Sequence, residues 1–192
     1  MRSNLNRTSD ATWKLCADHL RFWFTFVTES AYEQNLFVHS CLVSCRSEPV
    51  GVVAILAGTI LLEQLFFYVA AALVYGNVVI IGISTDQHSS TVASEFEQLF
   101  KKDLVTVLLG TRGELWQQFT AASNIASVWF YQDPNSAQLP LTRTANHQTI
   151  YNLGVNFEPR AVAKSMETFA TKAKCIWLPL LSGSAKGTQT SY

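Results

Sequence analysis

The sequence predicts an α/β fold: an open parallel sheet with helices on both faces, preceded by a helix and a strand or hairpin segment. Three observations carry this. From Val50 onward, strand-like and helix-like runs alternate. The strand runs, Val50–Leu56 and Val78–Ile83 above all, are continuous and rich in β-branched residues, as in strands buried on both faces. Turn residues punctuate the runs: Ser47-Glu48-Pro49, Gly76-Asn77, Gly110 and Asp133-Pro134-Asn135.

Each element has its own signal. Residues 1–10 are polar and read as loose, and Ser9 or Asp10 is placed to cap a helix over Ala11–Thr28. That helix carries an apolar stripe of Trp13, Leu15, Cys16, Leu20, Trp23, Phe24 and Val27. Leu36–Arg46 alternates loosely and reads as a strand or hairpin arm, broken before Pro49. The alternation then runs through strand Val50–Leu56, helix Leu61–Val74, strand Val78–Ile83 and helix His88–Phe100, capped near Thr85 or Asp86. Strand Leu104–Leu109, helix Arg112–Thr120 and the aromatic strand Ser127–Tyr131 follow. Thr149–Leu153 is a fifth strand, Pro159–Lys172 a helix with Pro in its first turn, and Cys175–Leu180 a short apolar strand-like tail. This order describes a Rossmann-like sheet. Three segments result: 1–47, a helix and hairpin segment; 48–181, the sheet domain; 182–192, a small polar tail expected to be disordered.

The chain has 192 residues, the size of one domain with a small appendage, and 48% are hydrophobic, enough for a sizeable core. Fourteen basic residues balance fourteen acidic ones, so charge gives no argument for nucleic acid or an acidic membrane. Cys16, Cys41, Cys45 and Cys175 lack the paired spacing of a zinc set and read as reduced thiols of a cytoplasmic protein. The N-terminus has no apolar region of a secretory signal. Leu65–Ile83 is a 19-residue uncharged window, which by length is a membrane-span candidate. The turn at Gly76-Asn77 and the β-branched run after it favour a buried helix followed by a buried strand.

Glu48-Pro49-Val50-Gly51-Val52-Val53, the apolar helix after it and Gly76-Asn77-Val78-Val79-Ile80-Ile81 resemble the first strand, helix and second strand of the cofactor domain of aldehyde dehydrogenases. The similarity runs from about Cys45 to Gly154. It is closest to the degenerate C-terminal repeat of the two-repeat family 16 members. Leu73-Val74-Tyr75-Gly76-Asn77 is similar to that repeat's LAYGN, Val128-Trp129-Phe130-Tyr131 to its MWYF, and Lys174-Cys175-Ile176-Trp177-Leu178-Pro179 to its KALWLP.

The resemblance implies where chemistry would sit, and most of it is missing. Active members carry Pro-Trp-Asn-Phe-Pro after the first strand, whose Asn donates to an oxyanion, an interaction worth about 3–4 kcal/mol. Here Ala57-Gly58-Thr59-Ile60-Leu61 stands there without an Asn; Thr59 offers a hydroxyl donor but reads as a helix cap. The Lys and Glu of Lys-Pro-Ser-Glu hold the adenosine ribose; the matching residues are Gly82, Ile83, Ser84 and Thr85. Phe-Thr-Gly-Ser meets the pyrophosphate at a helix N-terminus. Its counterpart contains Asp133, a negative charge beside phosphate, and Pro134, which has no N–H. The general base becomes Asn152, which takes no proton at neutral pH. Cys175 stands roughly where the nucleophile would, in the context Lys174-Cys175-Ile176, where Lys174 could lower a thiol pKa but the flanking residues read as a buried strand.

Gly110-Thr111-Arg112-Gly113 reads as a plain strand-to-helix turn, His39 as an edge histidine among strand residues, and His147 lies in a polar loop with no obvious acid partner. Trp116, Trp129 and Trp177 lie on apolar faces and read as core. The sequence therefore predicts a catalytically inactive pseudoenzyme acting as an interaction or assembly module, with no catalytic residue, metal or firmly bound NAD. Its expected partners are proteins: a sister aldehyde dehydrogenase repeat or a second copy of the chain. An NAD(P)-dependent oxidoreductase acting on aldehydes is the first alternative and a membrane protein the second.

Overall fold

The computed structural model describes residues 3–30, 34–38, 41–58, 62–85, 89–131, 148–153 and 158–179. The chain runs α1 (Ser3–Ser30), β1 (Gln34–Val38), β2 (Cys41–Pro49), β3 (Val52–Leu56), α2 (Leu62–Val74), β4 (Val78–Ser84), α3 (Ser89–Leu99), β5 (Val105–Gly110), α4 (Arg112–Ala121), β6 (Ser127–Tyr131), β7 (Thr149–Leu153), α5 (Pro159–Ala170) and β8 (Thr171–Pro179).

Five strands form a parallel sheet in the order β5-β4-β3-β6-β7. Side chains alternate across it, and the alternation sorts the core into two layers. Val53 and Ile55 of β3, Val79 and Ile81 of β4 and Trp129 of β6 face one layer, shared with α1, α2, α3 and α5. Ala54 and Leu56 of β3 and Val128 and Phe130 of β6 face the other, filled by Leu115, Trp116 and Phe119 of α4. The Rossmann-like reading with helices on both faces is therefore correct. Trp116 and Trp129 are core residues, as expected.

The uncharged window is explained by α2, in which Leu65 to Ala72 are all buried. The sheet lies under it and α1 over it, with α5 against it as well. A helix covered on every side is apolar all round. Among the described residues no helix is long and apolar enough to cross a membrane.

The first helix departs from expectation. It begins at Ser3, so Ser9 and Asp10 lie inside it rather than capping it. Among its described side chains the buried ones are Cys16, His19 and Trp23, with Phe22, Phe26 and Val27 partly buried, a stripe at helical spacing. Leu15, Leu20 and Phe24, read as part of the stripe, are exposed, and Phe24 is 72% so. The Trp23 indole N–H donates to the Phe67 carbonyl of α2 at 3.0 Å, and His19 meets the Phe67 ring edge-on at 5.1 Å. These contacts decide which face turns inward.

A second, antiparallel sheet has the order β1-β2-β8. β2 is its centre and runs unbroken across residue 47 to Pro49. The apolar tail is thus part of a nine-residue strand starting at Thr171, where α5 ends. Arg46 and Lys174 are directly opposite each other. Glu48 relieves that repulsion, accepting from Arg46 at 2.8 Å and pairing with Lys174 at 3.2 Å. Lys174, then both cations' hydrogen bonds and charge, hold the Glu48 carboxyl below its usual range.

Candidate functional site

In open parallel sheets, ligands bind beyond the carboxyl ends of the strands, where the strand order reverses. Here that point lies between β3 and β6. The described residues at this edge are Ala57 and Gly58 after β3, Ser84 and Thr85 at the end of β4, Thr111 and Arg112 at the start of α4, and Tyr131 closing β6.

The edge is tightly bonded to itself. Ala57 N–H donates to the Gly82 carbonyl at 2.9 Å, and Thr85 N–H to the Gly110 carbonyl at 3.1 Å. The half-buried Arg112 donates through Nη2 to the Tyr131 carbonyl at 3.0 Å, reaching across the crevice. The same carbonyl leaves no slack over Gly58, where a Cβ would sit 3.1 Å from the Tyr131 oxygen. α4 starts with a reciprocal capping box: Thr111 Oγ1 accepts from Glu114 N–H, and Glu114 accepts from Thr111 N–H. These bonds from the Thr111 hydroxyl and backbone hold the Glu114 carboxyl below its usual range. The Gly110–Gly113 segment is accordingly the strand-to-helix turn expected, with the Thr111 amide already satisfied by Glu114.

Gly82 lies within β4, not beyond it, because the strand continues through Ser84. A Cβ at Gly82 would meet the Phe119 ring at 2.8 Å and Leu56 Cδ1 at 3.3 Å. Phe119 is 1% exposed, so it cannot swing into solvent without opening the α4 layer. The sequence shows a glycine at this position, but not the ring that fills the space beside it. Thr85 is exposed beyond the strand, with its backbone bonded to Gly110. As a ribose clamp the described residues do not fit: position 82 offers no side chain and the place for one is filled.

Of the other candidates, the two that are described, Asn152 and Cys175, lie in different sheets. Thr59, Asp133, His39 and His147 lie outside the described residues. Asn152 is exposed on β7, opposite Phe130 of the parallel sheet. Cys175 belongs to β8 in the other sheet. It is disulfide-bonded, which corrects the reading of all cysteines as reduced thiols and leaves no thiolate for Lys174 to stabilise. Cys16 is a free, buried thiol, pushed up to about 11 by burial and then by the charges of Glu63 and Glu95. Such a thiol is protonated and inert at neutral pH. Among the described residues no cluster of His, Cys, Asp and Glu is arranged to hold a metal ion.

One polar residue matters more than its reading as a turn former suggests. Asn77 is buried, at 2% exposure. Its Nδ2 donates to the Ala72 and Ala170 carbonyls at 3.0 and 2.9 Å, and its Oδ1 accepts from Gly51 N–H at 2.9 Å. Gly76, at φ 84°, ends α2 in a left-handed turn, with Gly76 N–H donating to Leu73 and Asn77 N–H to Ala72. Together they fix α2, the entry to β3 and the end of α5.

No protein-family model matches the chain, and no curated protein sequence matches it significantly. Solved structures do match. The chain is similar to the glyceraldehyde-3-phosphate dehydrogenase GapN of Methanocaldococcus jannaschii, solved with NADP, with a TM-score of 0.59 and 19% identity over 77% of this chain and 34% of that one. It is similar to an NAD-dependent benzaldehyde dehydrogenase from Corynebacterium glutamicum, with a TM-score of 0.58 and 15% identity over 74% and 33%. A third is an aldehyde dehydrogenase of Bacillus cereus in complex with NAD+, with a TM-score of 0.53 and 21% identity over 65% and 26%. The chain thus spans 26% to 34% of the length of these three proteins. At this level of identity the likeness shows a shared fold, that of part of an aldehyde dehydrogenase.

Proposed function

We propose that this chain is an aldehyde-dehydrogenase-like domain without catalytic activity, a pseudoenzyme that acts as a protein interaction or assembly module. The observation that carries the reading is Phe119 packed where a side chain at position 82 would have to go. An enzyme of this fold that held the ribose through a lysine there would need that space open. Arg112 tied to the Tyr131 carbonyl across the crevice supports the same reading. The motif similarities at Leu73–Asn77, Val128–Tyr131 and Lys174–Pro179 support a place beside the C-terminal repeat of family 16 aldehyde dehydrogenases. Its partner is then a sister repeat or a second copy of the chain.

The test is a titration with NAD, followed by fluorescence of the buried tryptophans and by calorimetry, together with an assay of aldehyde-dependent NADH formation. The expected result is no saturation at millimolar NAD and no NADH. Saturable micromolar binding with turnover would overturn the reading in favour of an NAD(P)-dependent oxidoreductase.

A further inference from the structure

The small sheet brings together two cysteines that are distant in sequence. In the antiparallel register Cys45 of β2 stands directly opposite Cys175 of β8. Opposed residues in such a pair have Cα atoms about 4.5–5.5 Å apart, within the roughly 4.4–6.8 Å that a disulfide spans. Cys175 is in a disulfide, Cys41 is opposite Pro179, and Cys16 is free and buried in α1. We propose that Cys45 and Cys175 form a thiol-responsive tether that fastens β8 to β2, closed by small-molecule disulfides and opened by thiols.

Placement makes the bond accessible and consequential. Cys175 is exposed, so a small thiol or disulfide reaches it from solvent. Among the described residues β8 pairs only with β2, at an edge of the sheet. The ion pair beside it, Glu48 with Lys174, is partly solvated, with the Lys174 side chain half exposed, and adds little hold. All five strands of the parallel sheet lie between the two cysteines in sequence. The cross-link therefore closes a long loop, the case in which the unfolded chain is most restricted.

The exchange balances without further cofactors. One cysteine thiolate attacks a small disulfide of the glutathione class, forming a mixed disulfide and releasing one small thiolate. The second cysteine thiolate then attacks the protein sulfur of that mixed disulfide and releases the other. Two protein thiols are oxidised, one small disulfide is reduced to two thiols, and the cysteine protons pass to the released thiolates. Opening is the reverse, driven by excess thiol.

The full chain would be equilibrated with glutathione disulfide, alkylated, digested without reductant and mapped by mass spectrometry. The expected product is a linked peptide pair containing Cys45 and Cys175. Dithiothreitol should lower Tm by roughly 5–15 °C and speed amide exchange along β8, with neither effect in the Cys45→Ser/Cys175→Ser variant. Linkage of Cys175 to Cys41, four free thiols after oxidation, or a Tm and β8 exchange indifferent to reductant would each overturn the proposal. If the double variant does not fold, the map and the reductant response of the natural sequence still decide.

Discussion

The Asn77 amide donates to the carbonyl of Ala170 at 2.9 Å, which ties the turn after α2 to the last residue of α5, 93 positions away. Both Ala170 and Ala72 carbonyls have a second backbone donor, Val50 and Asn77 N–H respectively, whereas Oδ1 is the acceptor for Gly51 N–H. Asn77→Ala should therefore cost about 1–3 kcal/mol, chiefly for the amide left unpaired. Urea unfolding measures this. Asn77→Asp keeps the acceptor but turns a carboxylate oxygen toward two carbonyls, so its stability should rise as pH falls and the acid protonates.

Restoring a side chain at position 82 should harm the fold before it helps any chemistry. Gly82→Ala is expected to lose about 1–3 kcal/mol from overpacking against Phe119. The same change in a Phe119→Leu background should cost less, and a double-mutant cycle would read the coupling. Equal costs in both backgrounds would show that Phe119 is not the obstacle.

Acid should loosen the α1–α2 contact. Burial lowers the His19 pKa, against smaller opposing effects of Glu63 and Asp18. The unfolded chain then binds the proton more readily than the folded one. The contribution is fully present above the usual imidazole value of about 6.5 and is lost as pH falls through the folded value. Unfolding at pH 7.5 and pH 5.5 should show a decline that His19→Gln reduces.

Cys16 should resist alkylation while the protein is folded. With its thiol pushed up to about 11 and the side chain 3% exposed, iodoacetamide at pH 8 should leave it unmodified. Label should appear on Cys16 only as urea unfolds the chain. Rapid labelling in native buffer would show that α1 detaches on its own.

The parallel sheet was legible because its strands are local, β-branched and separated by turn residues. β6 and β7 match the expected Ser127–Tyr131 and Thr149–Leu153 residue for residue. The long-range features were not legible. The start of α1 lacks a breaker after Ser3, so capping residues inside it misled. His19 holds an inward position that an apolar count gives to Leu20. The partner strand of β8 lies at the other end of the sequence, and no local pattern specifies register, so the meeting of Cys45 with Cys175 was hidden. At the candidate site, the uncharged residues Gly82 and Asn152 were readable one residue at a time. Phe119 over Gly82 and Arg112 on Tyr131 needed the packing of α4.

The central place of β2 in its sheet has a consequence for biosynthesis. Its first neighbour, β1, leaves the ribosome just ahead of it, but its second, β8, follows the entire parallel sheet. Throughout that interval one side of β2 presents unpaired backbone amides and carbonyls to whatever is nearby. A nascent chain in this state is open to capture by a strand of another molecule. The time between translation of residue 49 and residue 179 is therefore the window in which a chaperone, or an assembly partner, has the most to offer this protein.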